Sequence, residues 1–260
     1  MQLLIAPSIW LLLYVGSILV SITPLVSTLK LKMNTTTNTA CVEDISHDGS
    51  YSKWCLLFSK GIQIWKSIVL GEMDLAQPLY YSMCFVDVLN PKEHKLTREI
   101  FQSKKVSYQE SEESAGVDLV KQTKIMKGVI DVNEFKTERG EITEQCSGQK
   151  DIYMSVDFFY RYLNGEKMSN IQNRLKWLPV RNESAYPLCE EAVPMWELGC
   201  ICRRSLCFRW FPCAIKTCPE SNRSVNPNDK FDCGITGCKK CDLFEFYVPR
   251  KKVCFWDIQF

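Results

Sequence analysis

Apolar positions fall into short blocks separated by turn-forming and polar stretches, and the blocks between residues 41 and 135 read mainly as strands. Cys41 to Cys55 reads as a hairpin about the turn His47–Ser50, because His-Asp-Gly-Ser separates two β-prone runs. Cys41 and Cys55 sit symmetrically about Asp48, so they face each other across the ladder, close enough for a disulfide. Gly61–Met73 and Pro78–Leu89 are rich in β-branched and aromatic residues and predict two further strands, the second ended by Asn90-Pro91. Lys92–Lys105 has helical spacing through Leu96, Ile100 and Phe101. Residues 106–116 read as a polar loop, and Val117–Phe135 again holds β-prone pieces. The clearest helical pattern is Asp151–Asn164: Ile152, Val156, Phe159 and Leu163 make one stripe, and Gly165 follows where a helix ends.

The two ends of the chain differ from this middle. The first 29 residues carry no charge, and the first charged side chain is Lys30. An apolar N-terminal run followed by small residues predicts a secretory signal peptide over residues 1–27, cut between Ser21 and Thr28. The run is also long enough to serve as an uncleaved anchor. No other segment is apolar enough to span a bilayer, so no stable membrane span is expected after cleavage. Residues 28–40 read as a flexible leader and 41–165 as an α+β domain. Residues 166–188 read as a polar linker with two prolines, and 189–260 as a small, mainly β, cysteine-rich module.

The cysteines change the picture most. Of 14, ten lie between Cys189 and Cys254. The sequons at Asn34, Asn182 and Asn222 point with the leader to an oxidising, secretory route and to a glycoprotein; Asn226 is followed by proline and is excluded. A zinc site fits poorly, since paired Cys-x-x-Cys knuckles and nearby histidines are missing; the chain has only His47 and His94. Cys233, Cys238, Cys241 and Cys254 imitate a plant-type iron–sulfur spacing, but the last gap is short and the compartment oxidising. Cys238-Lys-Lys-Cys241 has the spacing of a redox dithiol without the surrounding βαβ pattern. Structural disulfides fit best: a module of this size cannot bury enough apolar surface unaided. Their connectivity among Cys189, Cys200, Cys202, Cys207, Cys213, Cys218, Cys233, Cys238, Cys241 and Cys254 is not deducible from spacing. No metal and no cofactor is expected.

Net charge is +2, so no field draws nucleic acid, and Arg250-Lys251-Lys252 reads as a solvated edge. Neither histidine adjoins a nucleophile, the acid pairs Glu112-Glu113 and Glu190-Glu191 read as surface, and no phosphate loop, HExxH or GxSxG occurs. The chain therefore does not read as an enzyme.

Two blocks carry a resemblance. The first is Ser67–Leu89. The second joins Trp210-Phe211-Pro212-Cys213, Cys233-Gly234-Ile235, Phe246-Tyr247-Val248-Pro249 and Cys254-Phe255-Trp256. Both are similar to the out at first family, over roughly residues 45–258. That resemblance implies a secreted protein whose first part is BRICHOS-like: an antiparallel sheet flanked by two helices, with an internal disulfide at the positions of Cys84 and Cys146. Gly61 stands where such domains carry an aspartate. Cys207 and Cys241 are additional to the family's C-terminal set, which implies an extra bond Cys207–Cys241. The family implies a developmental or signalling binding protein with an unknown extracellular protein partner. The BRICHOS-like part implies, as an alternative, a chaperone-like module that binds β-prone extended segments.

Overall fold

The computed structural model describes residues 29–34, 36–46, 49–71, 73, 78–90, 98–99, 119–135, 140–162, 173–181, 185–192, 197–219 and 230–254. The strands in chain order are β1 (Leu29–Asn34), β2 (Thr39–Ile45), β3 (Tyr51–Leu57), β4 (Ile62–Leu70), β5 (Tyr80–Val88), β6 (Leu119–Asp131), β7 (Asp151–Ser155), β8 (Lys176–Trp177), β9 (Cys200–Pro219) and β10 (Lys230–Val248). Among the described residues lie the short helices α1 (Val132–Phe135), α2 (Gly140–Gln145) and α3 (Val156–Tyr162) and a 3-10 turn at Lys251–Val253.

β1 to β5 form an antiparallel meander, and the sheet runs on in the order β1-β2-β3-β4-β5-β7-β6-β10-β9, with β8 against β6. Two junctions are parallel, β5 with β7 and β6 with β10. β6 is the strand that turns the sheet. Its second half, Met126–Asp131, pairs with β7, and its first half, Leu119–Ile125, pairs with β10. An irregularity at Met126/Gly128 marks the change, as bulges commonly do where a strand bends. Leu175 packs close over Gly128: an added Cβ would lie 2.8 Å from its Cδ1, so that side chain would have to shift.

The bend lays the long β9–β10 hairpin over one face of β3–β5, while α1–α3 cover the other. Alternation along the strands follows this layering. Trp54, Leu56, Trp65 and Phe85 join Phe208, Phe211, Phe244 and Phe246 in one core. Cys55, Leu57, Ile64, Cys84 and Val86 join Phe135, Ile142, Phe158 and Phe159 in the other. With both faces covered, central strands become near-continuous apolar runs.

The expected antiparallel sheet flanked by two helices does not form. The described chain is mostly β, in one large mixed sheet. The segment Asp151–Asn164 is the main reason. Its first five residues are the central strand β7, held between β5 and β6, and helix begins only at Val156. Ile152 and Met154 face the helix-side core, so Ile152 is buried as a strand residue rather than as the first turn of a stripe. Leu163 and Gly165, like the predicted helix Lys92–Lys105 apart from helical Arg98 and Glu99, lie outside the described residues. The 106–116 loop lies outside them as well.

Candidate functional site

β7 is short, and its neighbours outrun it. Pairing of β5 with β7 ends at Val86, and pairing of β6 with β7 ends at Met126. Beyond that point β6 leaves for the β10 layer, and a wedge opens between it and the C-terminal end of β5. A cleft of about 570 Å³ fills the wedge, lined by Asp87, Asn90, Gln122, Lys124, Asp157, Tyr160 and Arg161 among others. It thus lies beyond the carboxyl ends of the parallel strands β5 and β7.

Its floor is buried and hydrogen-bonded. Asp87 is 2% exposed. Ser155 donates its hydroxyl proton to Asp87 Oδ1, and Lys124 Nζ lies 2.7 Å from Asp87 Oδ2. Gln63 donates to Asp87 Oδ2 at 3.4 Å and to the Val88 carbonyl at 2.9 Å. Ser155 also caps α3, accepting the Phe158 N–H at 3.0 Å. One serine therefore ends β7, starts α3 and anchors the carboxylate. The rim is open to solvent: Asp157, Tyr160 and Arg161 all stand exposed on α3.

A smaller cavity of about 220 Å³ lies beside β1 and α2, lined by Lys32, Asn34, Glu43, Lys53, Glu141 and Glu144 among others. Burial works against the Glu43 carboxylate, but Lys32 at 3.0 Å and Lys53 at 3.4 Å hold it below its ordinary value. Its charges are thus largely satisfied internally.

Cysteines singled out by sequence divide between the two cores. Cys41 and Cys55 are register partners joined at 2.09 Å, and Cys84 on β5 joins Cys146 after α2 at 1.98 Å. In the C-terminal region Cys189 joins Cys200, Cys202 joins Cys254, and Cys207 joins Cys241 across the β9–β10 ladder. Cys238 is also disulfide-bonded, so Cys238-Lys-Lys-Cys241 is not one redox pair. Cys213, Cys218 and Cys233 lie on β9 and β10, their side chains outside the described part. The sulfurs of Cys189, Cys202 and Cys254 lie within 4.8 Å of one another. All three are consumed in disulfides and are not thiolates, so they do not form a metal-ligand set.

Asn34 is exposed in the β1–β2 turn, where its side-chain oxygen accepts the Thr36 and Thr37 N–H groups at 3.0 and 3.2 Å. Asn182, Asn222, His47 and His94 lie outside the described residues. Among the described residues no helix is long and apolar enough to cross a membrane.

Sequence reasoning missed the cleft. Its signal was an acid, Asp87, interrupting the buried run Met83–Val86, and a glutamine, Gln63, between two fully buried isoleucines.

Residues 24–157 match the family model described as Out at first, and residues 188–258 match its C-terminal counterpart. The Out at first protein of Drosophila virilis is 25% identical over 224 residues, covering 81% of this chain and 71% of that relative. The Drosophila melanogaster Out at first protein is 25% identical over 226 residues, covering 81% of this chain and 45% of the relative. The chain therefore spans less than half the length of the second relative. No solved structure matches. With both family regions matched in order along most of its length, the chain belongs to the out at first family.

Proposed function

We propose that this chain is a secreted, disulfide-stapled binding protein that acts outside the cell, in development or signalling, without catalysis. The observation that carries this reading is that the described cysteines are all oxidised and none is free. Such a framework persists in the secretory pathway and outside cells, and is reduced in the cytosol. Asn34, exposed on a turn, suits glycan attachment on the same route.

The test is expression of the full chain in secreting cells. It is expected in the medium, shortened to begin between residues 21 and 28, lighter after glycosidase treatment, and inert to thiol alkylation. Retention inside cells or alkylable cysteines would refute the reading. The secreted protein is then the bait for affinity capture of its partner.

A second reading, chaperone-like binding of β-prone extended segments, is favoured by β1. It ends the sheet and presents a backbone edge that pairs with no other described strand. Such edges accept added strands, although Lys30 and Lys32, both exposed, blunt this one. Failure to slow amyloid growth at stoichiometric ratio removes this reading.

A further inference from the structure

We infer that one end of the sheet, built from the β2–β3 and β4–β5 turns, docks on a neutral phospholipid surface, the zwitterionic chemistry of an outer membrane leaflet. This goes beyond the proposed function and rests on the chain being secreted.

Among the described residues ten large apolar side chains stand exposed, and five of them gather at this end. They are Ile45, Leu70, Met73, Leu79 and Tyr80, exposed from 39% at Ile45 to 82% at Met73. They adjoin one another. Leu70 and Tyr80 are register partners, the Gly71 N–H donates to the Leu79 carbonyl at 3.0 Å, and a Cβ at Gly49 in the β2–β3 turn would meet Leu70 Cδ1 at 3.4 Å. Period two puts Ile45 on the face of Cys41, and Leu70 and Tyr80 on that of Cys84, which is the helix side. Cover on that side reaches Lys66, which donates to the Ser147 carbonyl after α2, and these three residues lie farther out. Contiguous apolar surface left in water marks a place of contact.

The end is a projection, not a groove. β3 pairs with β4 only as far as Tyr51 and Ile68, and β7 pairs with β5 only from Cys84 onward. β4 and β5 stay paired out to Leu70 and Tyr80, so their hairpin stands about 7 Å beyond β3. Five side chains at these exposures offer on the order of 500 Å², short of the roughly 800 Å² per partner that a stable protein interface buries. A bilayer accepts a small apolar projection without any complementary pocket.

Where the chain enters this end names the occupant. Leu29 opens β1 opposite Asp44, next to Ile45, and residues 1–28 carry no charge. The segment expected to meet the membrane during export thus joins the domain at its apolar end. Cleavage between Ser21 and Thr28 would leave only uncharged residues beside it. Charge selects the lipid. No Lys or Arg occurs from Asp44 to Ser52 or from Ser67 to Asn90, so the attraction that draws basic segments to anionic leaflets is missing. Asp48, Glu72 and Asp74 in the two turns would oppose it. Tyr80, at the base of the projection, suits headgroup depth.

The test floats the secreted full chain with phosphatidylcholine vesicles, with phosphatidylserine-containing vesicles as a second arm. Half-saturation is expected below about 1 mM phosphatidylcholine, insensitive to salt and not improved by phosphatidylserine. Met73→Ser with Leu79→Ser should weaken binding at least about tenfold, since either side chain buried in hydrocarbon is worth about that factor. Both residues are exposed, so the double variant should keep the parental thermal midpoint. Trp177→Ser removes a ring that is 51% exposed beside Gly128, in the row of Val86 and far along β5 from Tyr80, and should leave binding unchanged. Absence of vesicle binding overturns the proposal. So does binding that the double variant retains, that Trp177→Ser weakens equally, or that is confined to phosphatidylserine and abolished by salt. Capture of a protein or a second copy through Met73 and Leu79, without vesicle binding, overturns it too. A secreted chain that ignores vesicles sinks this assignment alone, whereas retention in cells sinks the underlying reading.

Discussion

The same four strands, β2 to β5, face two different interiors. Toward α1–α3 the core is largely aliphatic and is sewn by two disulfides, Cys41–Cys55 and Cys84–Cys146. Toward the β9–β10 hairpin it is aromatic. Trp54 stacks on Trp65 at 6.2 Å, Trp65 meets Phe244 edge-on at 5.1 Å, and Phe85 stacks on Phe244 at 4.3 Å. That second interior also holds charge. Lys240 is fully buried, its Nζ 5.1 Å from the Trp54 ring centre, 5.4 Å from that of Phe211 and 3.7 Å from Asp242 Oδ1. Asp87, Gln63 and Ser155 continue the polar series to the cleft mouth. The helix side is apolar surface crossed by two disulfides. The hairpin side adds rings and buried polar pairs to its own bonds, Cys189–Cys200, Cys202–Cys254 and Cys207–Cys241, and the cleft opens where its polar floor meets α3. Function is expected where the packing tolerates polar groups, because a cleft needs walls that already hold hydrogen-bonding side chains in place.

Breaking the helix side should have the largest effect. Cys84–Cys146 closes 62 residues and ties β5 to the segment after α2. Replacing both cysteines by alanine frees that loop in the unfolded chain and should cost about 4 kcal/mol. Denaturant unfolding of the double variant measures this directly. A cost near zero would mean the aliphatic core, not its bond, holds the helices on the sheet.

On the hairpin side the decisive residue is Lys240. Lys240→Met should cost about 3 kcal/mol, because it removes a cation that lies 3.7 Å from the buried Asp242 carboxylate. Adding Asp242→Leu should return most of that loss, since an apolar pair in the same space needs no compensation. A double variant no better than the single would show that the lysine stem and its contacts with Trp54 and Phe211, rather than the ion pair, stabilise this layer.

The contrast also explains what could be read from the sequence. The register that sets Cys41 opposite Cys55 is local, a matter of counting from one turn. Strands β3 to β5 announce themselves by composition, though burial on both faces blurs their alternation. The resemblance to the family was legible in short strings such as Trp210-Phe211-Pro212-Cys213, which lie inside the stretch 188–258 that matches the family's C-terminal model. β7 was hidden because Ile152, Val156 and Phe159 satisfy a helical period by coincidence; its neighbours β5 and β6, which impose the strand, lie far off in sequence. The β6–β10 pairing joins Leu119 with Lys239, and no local pattern encodes such a distance. The cleft shares this origin: Lys124 and Asp87 meet only after the strand between them has ended. Lys240 looks like solvated charge within Cys-Lys-Lys-Cys until β10 turns it against Trp54.

The smallest expected effect tests whether the hairpin side is tuned or merely tolerant at its closed end. There burial pushes the Tyr153 phenol well up, and Tyr81, its hydrogen-bond partner, is raised as well. Burial likewise raises the Asp151 carboxyl, helped by Asp131, its register partner on β6, and opposed by Lys150 and Lys176. An acid whose folded value exceeds its unfolded value binds its proton more tightly in the folded state. Asp151 therefore favours folding most below the ordinary carboxylate range, and that contribution is lost as pH rises from the unfolded value to the folded one. Asp151→Asn removes the titration and the repulsion of Asp131. Because Asp151 is half-exposed, the gain at neutral pH should stay below about 0.5 kcal/mol. Urea midpoints should place the variant level with or below its parent in acid and slightly above it beyond that window. A variant less stable at neutral pH would mean that the Asp151 charge is held by Lys150 and Lys176 more strongly than burial opposes it. The closed end would then be stabilised by its charges, like the Asp87–Lys124 pair at the open end, and the two ends of the aromatic core would obey one rule instead of two.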